Sequence, residues 1–205
     1  MTRAVLTSFH NYVPMYDHKY FNVIFDYYMH NFNTVWGDEV DKLYLLDSNW
    51  DIPEQSNPKI KVIKTNPSLR YYDAYKEVLP QLEEDLVMLM DNDMVVWKRG
   101  IIKRTFGLLG DHNDLTDFKY YDQNIEGNPV DYDVVSIFAS IGDYKTDKLN
   151  GKNKFCPFWF ATRKNLLMKY KDVEWGDHMP HSETLGYLTK AMLNDGVIPY
   201  EWEED

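Results

Sequence analysis

The apolar positions of this chain follow two patterns: short unbroken runs, and longer stretches with an apolar residue at every third or fourth position. The most complete run covers residues 86–90 (Leu-Val-Met-Leu-Met) and stops at Asp91-Asn92-Asp93. A run with no polar alternation, bounded by charge, predicts a strand buried on both faces. Residues 4–9 and 41–48 predict two more strands. Residues 59–65 alternate lysine with apolar side chains, which predicts a half-exposed strand near a sheet edge. Residues 94–97 read as a short strand after the acidic pair, and residues 133–138, 155–161 and 197–202 as later strands.

The other pattern is helical. Within residues 16–32, Tyr20, Phe21, Ile24, Phe25, Tyr28 and Phe32 fall at spacings of one, three and four, which predicts an amphipathic helix with an aromatic inner face. Ser68 is placed to cap a helix from Leu69 to about Glu84, with Pro80 as a break inside it. Residues 101–109 and 163–171 predict further helices. Ser182 is the expected N-cap of a helix that runs to Asn194, turns Leu185, Leu188, Met192 and Leu193 inward, and closes at Gly196. Residues 110–129, 145–154 and 173–180 read as loops.

The early order is strand, helix, strand, strand, helix, strand. That order predicts an α/β fold with a mainly parallel central sheet covered by helices, as a single domain over residues 1–205. Ligands of such sheets lie beyond the carboxyl ends of the strands. Those ends here are Thr7-Ser8, Asp47 and Asp91 to Asp93, all polar.

The chain has 205 residues, a formal net charge of −11 and 16% aromatic residues. This is enough for a sizeable core, and the acidity argues against nucleic acid, which needs a basic surface. A single cysteine, Cys156, excludes an internal disulfide and reads as a packed thiol. Neither a signal-peptide hydrophobic region nor a run of membrane-spanning length is visible, so a cytoplasmic location is expected.

The acidic pair carries the candidate chemistry. In extended chain Asp91 and Asp93 would point the same way. Two such carboxylates about 5 Å apart repel by roughly 3 kcal/mol at an effective dielectric near 20. A divalent ion reverses the sign, and carboxylate oxygens suit Mg²⁺ or Mn²⁺. The plainer alternative is a solvated turn. An EF-hand loop does not fit, because Val96 stands where its glycine belongs.

Taken together, the pattern resembles a glycosyltransferase of the GT-A fold, in the nucleotide-diphospho-sugar transferase superfamily. Three stretches carry the resemblance: residues 86–96, similar to the D-x-D segment; Thr7-Ser8-Phe9, similar to the loop lining the nucleotide; and residues 182–196, similar to a late acidic residue on a helix that ends in Asn-Asp-Gly. The resemblance implies a nucleotide-sugar donor such as a UDP-sugar, a Mn²⁺ or Mg²⁺ ion at Asp91 and Asp93 with His181 as a further ligand, and an acceptor hydroxyl. It implies nucleotide or phosphate contacts from Thr7, Ser8, Phe9, Tyr12, Asp47, Arg70, Asp91 and Asn92. Asp93 and Glu183 become the catalytic candidates, Glu183 as general base. The late motif departs from the commonest form, which has two adjacent acids, since Thr184 follows Glu183.

Each site residue has a plainer reading. Asp47 is equally an exposed strand-end acid, Arg70 a surface partner of Asp73, Glu183 ordinary helix-start charge, and His178 or His181 a solvated loop histidine. Trp159, Trp175 and Tyr187 could stack on a sugar, although packing is the commoner use of an aromatic ring. Two other functions share this architecture. A sugar-phosphate nucleotidyltransferase would want a glycine-rich phosphate loop, and residues 7–12 contain no glycine. A non-catalytic nucleotide-sugar or carbohydrate-binding domain would need neither the metal pair nor Glu183.

Overall fold

The computed structural model describes residues 1–10, 18–69, 71–111, 131–139, 154–176 and 185–201. Among the described residues seven strands form one sheet: β1 (Arg3–His10), β2 (Lys42–Ser48), β3 (Ile60–Lys64), β4 (Leu86–Met90), β5 (Val134–Ala139), β6 (Lys154–Arg163) and β7 (Pro199–Glu201), in the order β3-β2-β1-β4-β6-β5-β7. Neighbours run parallel except at β6, which is antiparallel to both β4 and β5. The helices described are α1 (His18–Asn31), α2 (Tyr71–Val78), α3 (Ile101–Gly107), α4 (Lys164–Lys169) and α5 (Gly186–Asn194), which flank the sheet.

Side chains of a strand alternate between faces, and β1 builds both halves of the core that way. Val5 and Phe9 join the cluster under α1, with Phe21, Phe25, Tyr28 and Phe32. Ala4 and Leu6 join the opposite cluster, with Ala74, Tyr75 and Val78 of α2 and Leu188 and Met192 of α5. Every residue of β4 is fully buried. The Phe9 ring meets Phe21, Phe25 and Tyr28 edge-on, at centroid distances of 5.6, 5.6 and 6.0 Å. Burial of rings this large stabilises by about 1.5–3 kcal/mol apiece. The aromatic inner face of α1 is therefore core, and the helix runs on into a π-helical turn, Phe32–Trp36. At the sheet edge, β3 presents Lys61 and Lys64 to solvent, which discourages pairing with another chain.

The elements differ from expectation in four places. Residues 94–97 form no strand. Instead, the Asn31 side chain donates to the Val96 carbonyl (2.9 Å) and accepts from the Val96 amide (3.0 Å), doing there what a neighbouring strand would have done. Helix α2 is shorter than expected: it starts at Tyr71 and gives way to a 3₁₀ turn, Leu79–Gln81, that contains Pro80. Helix α5 starts at Gly186 with Leu185 at its N-cap, and the expected cap, Ser182, lies outside the described residues. Its far end is as expected: Gly196 has φ +79°, and the Val197 amide reaches back to the Met192 carbonyl (3.0 Å). Finally, β7 covers only Pro199–Glu201. The expected loops over residues 112–129 and 145–153 lie outside the described residues.

Candidate functional site at the switch point between β1 and β4

The chain builds β1, β2 and β3 outward in one direction, then crosses to place β4 on the other side of β1. Ligands of open α/β sheets bind where the order reverses in this way. The register shows a notch there. β1 stays paired with β2 through His10↔Ser48, but its pairing with β4 ends at Leu6↔Leu89. Continued without change, the Arg3↔Leu86 register would set Ser8 opposite Asp91. The chain leaves β1 instead and turns.

That turn holds the acidic pair. The Met94 amide donates to the Asp91 carbonyl (3.3 Å), so the pair sits on a tight turn and not on extended chain. Asp91 and Asn92 are half-buried and Asp93 is exposed. The Asn92 amide spans the notch and donates to the Ser8 carbonyl (3.3 Å). From α2, the Tyr75 hydroxyl accepts the Ser8 amide (3.2 Å). Ser8 is 2% exposed, and its own hydroxyl has no hydrogen-bond partner among the described residues. Below it, the Thr7 hydroxyl bonds to the Tyr28 hydroxyl, which also approaches the Met90 sulfur (3.8 Å). Burial pushes the Tyr28 phenol well above its ordinary pKa; the Thr7 hydrogen bond opposes this, and the charges of Tyr75 and Asp91 add to it.

These contacts divide the predicted nucleotide loop. Thr7 and Phe9 face the α1 side and are spent on the core, at 0% and 1% exposure, so their side chains do not line the crevice. Ser8 is the residue of the three whose polar groups meet the notch.

Asp47 is likewise not the exposed strand-end acid that its sequence position allowed. It is completely buried. Its Oδ1 accepts from the Trp50 amide (2.7 Å), and its Oδ2 accepts from the Ile52 amide (3.1 Å) and faces Lys64 Nζ (2.7 Å). The loop it holds passes through Asn49 and Asp51, both at positive φ, and lays Trp50 flat on Phe21 at 4.6 Å. The Lys64 ammonium has a raised pKa, from its hydrogen bond to Asp47 and then that to Asp51. Asp47 thus holds the loop that follows β2.

Tyr12, Arg70, His178, His181 and Glu183 lie outside the described residues. The described residues flanking 177–184 do lie at the carboxyl edge. Gly176 packs against the ring of Tyr72, in the first turn of α2. The Leu185 amide donates to the Phe155 carbonyl (2.9 Å), and Phe155 precedes Trp159, the antiparallel partner of Met90, so it lies past the end of β4. Of the aromatic residues considered as sugar platforms, Trp159 and Trp175 are core, at 4% and 1% exposure, whereas Tyr187 is 40% exposed. Cys156 is buried, as a packed thiol should be.

Carboxylate oxygens are the donor type that hard divalent ions take. Among the described residues no group of three or more His, Cys, Asp or Glu could enclose a metal. Two carboxylates on an open turn suit an ion such as Mg²⁺ or Mn²⁺, which keeps waters and takes phosphate oxygens for the rest of its shell. Sequence reasoning missed Tyr28 and Tyr75. Helical spacing places both facing inward, but nothing in the sequence tells where a buried phenol finds its partner.

No protein-family model matches this chain, and no curated protein matches it in sequence. Solved structures do resemble it in fold. The mannosyltransferase PcManGT from Pyrobaculum calidifontis, in complex with GDP-Man and Mn²⁺, superposes with a TM-score of 0.58 at 14% identity, over 98% of this chain and 55% of that one. A nucleotidyl transferase from Methanothermobacter thermautotrophicus gives 0.58 at 10% identity, over 100% and 88%. The bifunctional IspDF from Campylobacter jejuni gives 0.57 at 13% identity, over all of this chain and 50% of that one, so this chain spans about half its length. The fold is that of nucleotide-diphospho-sugar transferases and nucleotidyltransferases, the GT-A-like architecture. Among the described residues no helix is long and apolar enough to cross a membrane.

Proposed function

We propose that this protein is a metal-dependent glycosyltransferase that moves a sugar from a nucleoside-diphosphate donor, with UDP as the first candidate, to an acceptor hydroxyl. The observation that carries the reading is the acidic turn at the β1–β4 notch, with Asp91 half-buried and Asp93 exposed, tied across the notch to Ser8 through Asn92. The Mn²⁺ and GDP-Man bound by the mannosyltransferase of like fold support it.

In this reading Asp91, Asp93 and His181 would hold Mn²⁺ or Mg²⁺, which would supply positive charge to offset that of a departing diphosphate. Tyr12 contacts the nucleotide, and Arg70 pairs with phosphate oxygens. The sugar's bond to the diphosphate oxygen breaks as its bond to the acceptor oxygen forms. Where the acceptor attacks from the opposite face, Glu183 takes the hydroxyl proton. A thermal-shift panel of UDP-, GDP-, dTDP- and CMP-sugars, with and without Mn²⁺, tests this, because a ligand of the folded state raises the melting temperature. A metal-dependent shift is expected with one nucleotide class; no shift with any of them contradicts the reading.

The nucleotidyltransferases of like fold favour one second reading, nucleotidyl transfer to a sugar phosphate. The glycine-free stretch 7–12 stands against it. Release of pyrophosphate from a nucleoside triphosphate and a sugar phosphate would establish it.

A further inference from the structure

Where β4 leaves β1, the Ser8 amide and carbonyl lose the strand that would have paired with them. Both are satisfied by side chains instead, the amide by Tyr75 of α2 and the carbonyl by Asn92. A buried main-chain group has to be paired, so these two bonds let the notch stay open without orphaned polar atoms. They differ in what they anchor. Tyr75 ties β1 to a helix already packed beneath it, at 0% exposure. Asn92 ties β1 to the turn itself, between the two acids.

We infer that Asn92 is a positioning residue: its amide, donating to Ser8, fixes where Asp91 and Asp93 stand relative to β1, and it does not itself bind the metal or nucleotide. This revises the sequence expectation that Asn92 contacts the nucleotide, and it rests on the metal–nucleotide reading of the site. Three connections support it. The amide is turned back toward the strand. The residue is half-buried while its neighbour Asp93 is exposed. The turn's own main-chain bond, from Met94 to Asp91, closes the turn but does not join it to the sheet. Partners that orient metal ligands typically set metal affinity by about tenfold to a hundredfold.

The test uses substitutions for which the two roles predict opposite signs. Asn92→Asp supplies a third carboxylate, which would tighten binding if position 92 touched the ion. A carboxylate cannot donate, so the bond to Ser8 is lost and the turn is repelled from the carbonyl. UDP is titrated calorimetrically at a fixed, sub-saturating Mn²⁺ concentration, and melting temperatures are measured without ligand. We expect Asn92→Ala to weaken UDP binding about tenfold or more and Asn92→Asp to be at least as weak. Asn92→Asp binding as tightly as the native chain, or Asn92→Ala unchanged, overturns the inference. If those two variants do not fold, Asn92→Gln decides: it keeps the donor, so affinity within about fivefold is expected, and complete loss contradicts it. Failure of the native chain to bind UDP or GDP with Mn²⁺ defeats the site reading itself, and this inference with it.

Discussion

The ring of Tyr72 fills the space that a side chain on Gly176 would occupy: a Cβ built there would lie 2.2 Å from Tyr72 Cε2 and 2.4 Å from Cδ2. The chain entering residues 177–184 is thereby seated against the first turn of α2, at the carboxyl edge of the sheet. Gly176→Ala must push that ring aside, and overpacking of this kind typically costs about 1–3 kcal/mol. Chemical denaturation should show a loss in that range, and adding Tyr72→Ala to the same chain should remove most of it. A Gly176→Ala variant as stable as the native chain would mean that the two do not touch.

Asp47 supports a second prediction. Its carboxylate holds two loop amides and faces Lys64 from a fully buried position. Asp47→Ala leaves the Trp50 and Ile52 amides without that acceptor. Such loss costs about 1–3 kcal/mol per buried group, so a fall in stability of at least about 2 kcal/mol is expected. Amide exchange should speed up at Trp50 and Ile52 first. Unaltered exchange at both would contradict the assignment.

The tyrosines make the fold sensitive to alkali. Tyr28 and Tyr75 are both held well above their ordinary value near 10, chiefly by burial. The folded state keeps these protons where the unfolded chain would release them. Their contribution is therefore complete below about pH 10 and is lost as pH rises above it. Two such groups remove nearly 3 kcal/mol per pH unit there, at about 1.4 kcal/mol each. Denaturation series from about pH 9 to 11 should show this steepening, and Tyr28→Phe with Tyr75→Phe should flatten it. An equal slope in the double variant would contradict the account.

Much of the sheet was legible because buried parallel strands appear as unbroken apolar runs. β1, β2 and β4 fall where residues 4–9, 41–48 and 86–90 placed them. The lysine alternation of residues 59–65 marked the edge strand correctly. Local pattern failed where a distant side chain decided the outcome. Residues 94–97 are apolar enough for a strand, but Asn31 takes the Val96 main-chain groups. Nothing local reveals that β6 runs against β4 and β5. The position of Asp91 and Asp93 at a strand's end was readable from the charge that stops the apolar run. That Asn92 faces Ser8, 84 positions away, was not readable, because it depends on where the two strands part.

In the proposed function, Asp91 and Asp93 would hold a divalent ion against a nucleoside diphosphate at the β1–β4 notch. Calorimetric titration of UDP and GDP, with and without Mn²⁺, into the native chain and into Asp91→Asn and Asp93→Asn tests it most directly. The account predicts Mn²⁺-dependent binding of at least one nucleotide by the native chain. It predicts loss of that binding in both variants, with melting temperatures near the native value. Equal affinity in all three proteins, or no dependence on Mn²⁺, would contradict it.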